Sequence, residues 1–158
     1  MNSEAIDRAI IAIGGNEPSR FILPHDMACY VIPPPNGKTA IIFIAKYFVT
    51  SDIFIRMNNF NSNFSEVIRI RADDIEGEIS AIENYQESII TVEDLSFISY
   101  LEYWEDLAVI FVRYPINDLM NAKLKELSKG WKNYLENLGK LSNANTVLID
   151  KLLMLPSY

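Results

Sequence analysis

Leu107-Ala108-Val109-Ile110-Phe111-Val112 is an unbroken apolar run, rich in β-branched and aromatic side chains. A half-exposed strand would alternate polar and apolar residues, so a short uniform run of this kind reads as a central strand buried on both faces. The chain must then supply a sheet and enough further apolar surface to cover it. Its 158 residues, 49% of them hydrophobic, suffice for one core without staples. The expectation is a single α+β domain over residues 1–158.

The neighbours of that run suggest how the sheet is made. Ala28–Ile32 and Thr39–Thr50 read as strands, joined by Pro33-Pro34-Pro35-Asn36-Gly37, whose Asn-Gly pair signals a tight turn. Ile53–Met57 and Val67–Arg71 alternate with period two and suit a mostly antiparallel sheet with one wet face; Asn58–Ser65 reads as the loop between them. Ser88–Val92 reads as a further strand and Glu93–Trp104 as a helix with Leu95, Ile98 and Leu101 turned inward. Ile6, Ala9, Ile10 and Ile13 define a short first helix, Glu4–Ile13, and a short last helix spans Asn145–Met154. Met120, Leu124, Leu127, Trp131, Tyr134, Leu138 and Leu141 recur at alternating spacings of four and three. They predict one long C-terminal amphipathic helix, Asp118–Leu138, packed on the sheet. The same seam would serve a coiled-coil homodimer, although Gly130 interrupts it and Trp131 and Tyr134 are bulky for one.

Charge is distributed unevenly along this framework. From Ala72 through Val112 there is no Lys or Arg, yet the stretch holds 11 of the 21 acidic residues. The rest of the chain carries 10 acids against all 14 basic residues, so a net −11 segment sits in a molecule of net charge −7. Such a balance argues against direct nucleic-acid binding, which needs Lys and Arg at the phosphates. Lys123, Lys125, Lys129 and Lys132 on the long helix would neutralise the stretch only in part.

The usual catalytic constellations are weak or incomplete. His25 and Cys29 are the sole residues of their kinds, and one of each closes neither a catalytic triad nor a tetrahedral zinc site. Asp73-Asp74-Ile75-Glu76-Gly77-Glu78 lacks the alternating oxygen ligands of a calcium loop. Gly37-Lys38-Thr39 imitates the end of a phosphate-binding loop, but the upstream glycine is replaced by Ile32 and prolines fill the interval. No catalytic residue, metal or cofactor is assigned. Met1–Arg8 has no signal-peptide pattern, and apolar runs fall far short of the ~18–20 residues of a membrane span, so a cytoplasmic protein without membrane contact is expected.

What remains is the interleaving of carboxylates with rings, as in Glu102-Tyr103-Trp104-Glu105-Asp106. Aromatic anchors supply interface energy, and complementary charge selects and steers the partner. Glu83, Glu87, Glu93, Asp94, Glu102, Tyr103, Glu105 and Asp106 are therefore the expected partner-binding residues, with Asp94, Ser99, Glu102 and Tyr103 facing outward. The expected function is a non-enzymatic acidic inhibitor of a basic protein, of the immunity-protein or antitoxin kind, occluding a nuclease-like toxin. The alternatives are a phage-type inhibitor that mimics nucleic acid against a host defence complex, and a small enzyme using carboxylates such as Glu102 and Asp106.

Overall fold

A computed structural model describes residues 4–14, 22–59, 65–80, 85–102, 106–140 and 146–154. The strands are β1 (Met27–Ile32), β2 (Ile53–Asn59), β3 (Ser65–Ile70), β4 (Tyr85–Val92), β5 (Phe97–Glu102) and β6 (Leu107–Arg113). They form one six-stranded sheet in the order β1-β6-β5-β4-β2-β3, and every neighbouring pair is antiparallel. The helices are α1 (Glu4–Ala12), α2 (Gly37–Phe48), α3 (Ile75–Ser80), α4 (Asp118–Leu127), α5 (Trp131–Leu138) and α6 (Thr146–Leu153). The architecture is α+β.

The sheet is apolar on both sides, so both are covered. Tyr30, Ile55, Ile90, Leu101 and Ile110 point to one face, where α2, α3 and α4 bury Ile41, Ile44, Ile79 and Leu124 against them. Cys29, Ile98, Val109 and Phe111 point to the other, against Ala9 of α1 and Ile13 just beyond it, Trp131 and Leu135 of α5, and Leu152 of α6. Ile6 and Ile10 extend that layer over Phe54. β6 meets the requirement set by its sequence: Ala108, Ile110 and Val112 fill one core while Leu107, Val109 and Phe111 fill the other.

Three expectations are overturned. Thr39–Thr50 is not a strand but the body of α2. Its many β-branched residues lower helix propensity by only a few tenths of a kcal/mol each, roughly. Gly37, Ala40, Ile41, Ile44 and Ala45 are buried together on one helical face, and that burial prevails. The Pro33–Gly37 segment is accordingly a strand-to-helix connection rather than a hairpin. Glu93–Trp104 is not a helix: Glu93–Ser96 turns and Phe97–Glu102 is β5, while Trp104 lies outside the described residues. Asp94 closes that turn by accepting the Ser96 N–H at 2.9 Å, with Leu95 in the left-handed region at φ 54°.

The long C-terminal helix is two short ones. Gly130 at φ 81° breaks it, and the Ser128 hydroxyl donates to the Lys125 carbonyl at the end of α4. Met120, Leu124 and Leu127 therefore serve one core, and Trp131 and Leu135 serve the other. The seam that suggested a coiled-coil homodimer is divided between the two faces of the chain's own sheet.

Candidate functional site

The antiparallel register sorts the charged residues to two opposite ends of the sheet. At one end, Met27 pairs with Arg113, Ile53 with Ile70 and Val92, and the β4–β5 turn carries Glu93 and Asp94. Arginines clasp this end. Arg8 of α1 donates to the Glu93 carbonyl at 2.9 Å and to its carboxylate at 3.2 Å. Arg113 donates to the Asp94 carbonyl at 2.9 Å and approaches Asp26 at 3.6 Å. Arg69 bonds Asp52 at 2.6 Å, and Arg71 lies 3.7 Å from Asp73.

The other end is built differently. Glu87 of β4 and Glu102 of β5 stand directly opposite one another in the register. Tyr100, two residues before Glu102 and so on the same face, is buried and donates its hydroxyl to Glu87 Oε2 at 2.8 Å. Its burial first, then the Glu87 charge and hydrogen bond and the Glu102 charge, push the Tyr100 pKa far above the usual phenol range. The hydroxyl is thus a fixed proton donor, holding one carboxylate of a like-charged pair in place. Arg56 lies on the same face of β2, opposite Ile89. Among the described residues, the strands and turn of this end carry Glu66, Glu87, Glu102 and Asp106, with Arg56 on β2 and Lys38 beside Asp106.

Asp106 ties this end to α2. Its backbone lies at φ 53°, its carbonyl accepts the Gly37 N–H at 3.0 Å, and Oδ1 accepts the Lys38 N–H at 2.7 Å. Burial raises its carboxyl pKa, an effect opposed by the Lys38 N–H bond and the Lys38 charge. The approach is so close that a Cβ on Gly37 would stand 2.5 Å from the Asp106 carbonyl oxygen. Gly37-Lys38-Thr39 does lie between a strand and a helix, unlike the hairpin position expected for it. Its leading N–H groups, however, are held by Asp106, a carboxylate where a bound phosphate would sit.

Of the eight residues expected to bind a partner, the fold brings Glu87, Glu102 and Asp106 to one end. Glu93 and Asp94 lie at the other, six residues along β4 from Glu87, a separation of about 20 Å at the usual strand rise. Glu83, Tyr103 and Glu105 lie outside the described residues. Ser99, expected outward, is fully buried, and Ile98 and Leu101 face opposite cores, because β5 alternates where a helix would not. The acidic stretch takes counter-charges from Arg8, Lys46 (3.4 Å from Glu76) and Arg71. Tyr100 was missed as a member of the site. β5 is buried on both faces, so no alternation in its sequence marks Tyr100, and its contact with Glu87 follows from the strand register.

Cys29 is buried in β1, and desolvation pushes its thiol well above the ordinary range, which removes the thiolate a nucleophile needs. His25 is exposed in the turn before that strand. Among the described residues no group of three or more His, Cys, Asp or Glu could hold a metal ion. No helix among them is long and apolar enough to cross a membrane. No family model, no curated protein and no solved structure matches this chain.

Proposed function

We propose that the protein is a non-enzymatic binding protein that presents the Glu87–Glu102 end of its sheet to a basic protein. Within that class, it is an immunity protein or antitoxin that neutralises a nuclease-like toxin by covering its cationic substrate cleft. The observation that carries this reading is the placement of Glu87 directly opposite Glu102 on neighbouring strands, at the same end of the sheet as Asp106. Like charges directly opposite on neighbouring strands destabilise a sheet, and such departures from local stability rules concentrate at functional sites. Carboxylates at this end would stand where substrate phosphates lie, and their field would speed encounter.

The test is co-expression with the product of the adjacent reading frame. The expected result is a complex with a basic protein whose nucleic-acid cleavage is lost on binding. Association should slow steeply as salt rises toward physiological strength, where the screening length falls to about 8 Å. An association rate that stays flat over that range would contradict the electrostatic part of the reading.

A further inference from the structure

A second surface has the opposite chemistry. α2 and α4 pack side by side over one face of the sheet, each burying its inner stripe, and leave a groove of about 520 Å³ between their outer faces. Ile42, Phe43 and Tyr47 of α2 and Leu119 of α4 form its apolar lining, and Lys46 and Lys123 lie beside it. Tyr47 and Leu119 are 70% and 68% exposed, among the most exposed large apolar side chains described. The Phe43 ring lies 5.4 Å from that of Tyr47, so the two form one aromatic wall. Ile42 and Phe43 also rest partly against the core beneath, whereas Tyr47 and Leu119 project into solvent while α2 buries Ile41 and Ile44 and α4 buries Leu124.

We infer that this groove receives an amphipathic helix whose apolar stripe is flanked by acidic residues. The dimensions agree: Thr39 to Tyr47 spans eight helical positions, about 12 Å, which matches a partner's i, i+4, i+7 stripe. The charge selects the flanks, because Lys46 and Lys123 favour carboxylates and disfavour a basic helix. Lys46 makes an exposed contact to Glu76, at 3.4 Å, which a partner carboxylate can replace. A second copy of the chain fits poorly, since a symmetric pairing would set these lysines against their own kind. The inference is independent of the carboxylate end and does not require the protein to be an inhibitor.

The experiment titrates the full-length, isotopically labelled protein with two helical peptides of about 18 residues that carry the same leucine stripe, one flanked by glutamates and one by lysines. The glutamate peptide should shift the amide signals of α2 and α4 around Tyr47 and Leu119, and the lysine peptide should bind at least about tenfold more weakly. Lys46→Glu combined with Lys123→Glu should reverse that preference. Tyr47→Ala and Leu119→Ser, both at exposed positions, should abolish binding while leaving the thermal transition in place. Equal binding of both peptides, or shifts by neither, would overturn the inference. So would perturbation of this face by phosphatidylglycerol vesicles in place of peptide, or self-association through it.

Discussion

The two ends of the sheet receive acidic residues from the same stretch of sequence and treat them in opposite ways. Glu93 and Asp94 fall beside Arg8 and Arg113, which come from far away in the chain, and the turn they form is stitched closed. Glu87 and Glu102 fall opposite one another, with the hydroxyl of Tyr100 beneath them. A run of carboxylates in sequence is therefore a poor measure of a negative surface. What decides the surface is where the fold returns its cations, and among the described residues Arg8, Arg69, Arg71 and Arg113 lie at one end.

That comparison can be broken or sharpened by substitution. The largest effect is expected where the carboxylate end meets α2. Gly37→Ala forces a Cβ into the Asp106 carbonyl and should lower stability in urea unfolding by about 1–3 kcal/mol. A wild-type midpoint in that variant would show that the contact is not as close as described.

Asp106 comes next. Asp106→Ala removes the acceptor of the Lys38 N–H and should cost about 1 kcal/mol, as for other lost helix caps. Asp106→Asn keeps the acceptor and behaves differently with pH. Because burial raises the folded-state pKa of Asp106, its stabilising contribution is fully present below the unfolded value and is lost as pH rises through the folded one. Wild type should therefore lose ground against Asp106→Asn as pH rises through the carboxyl range. A constant difference across that range would contradict the assignment.

The smallest effects have opposite signs at the two ends. Glu102→Gln relieves a like-charged cross-strand pair and should stabilise by about 0.2–1 kcal/mol. Glu93→Gln weakens an exposed pair with Arg8 and should destabilise by about 0–1 kcal/mol. Thermal or urea transitions that move the same way in both variants would remove the distinction between the ends.

The legible part of the fold was the part governed by local pattern. The burial of β6 on both faces followed from Leu107–Val112, and α1, α6 and β1 fall within a residue or two of where periodicity put them. α2 was misread because Ile41, Ile42, Ile44 and Val49 favour strands locally, while the contacts that make Ala40, Ile41, Ile44 and Ala45 a buried helical face come from the distant strands β6 and β5 and from α3 and α4. β5 was misread because apolar residues on both faces of a central strand erase the period-two signal. The break at Gly130 left the heptad spacing intact, so the pattern concealed that its two halves serve different cores. The acidic stretch was visible in sequence; its division into two ends depends on antiparallel register, which no local pattern specifies.

The most direct test compares the protein with two charge-reversed forms, one carrying Glu87→Lys and Glu102→Lys, the other Glu93→Lys and Asp94→Lys. Each, after its fold is checked, is measured for affinity toward the protein captured in the co-expression experiment. Binding should fall sharply in the first and stay near wild type in the second. Loss confined to the second form, or equal affinity in all three, would contradict the claim that the Glu87–Glu102 end is the docking surface.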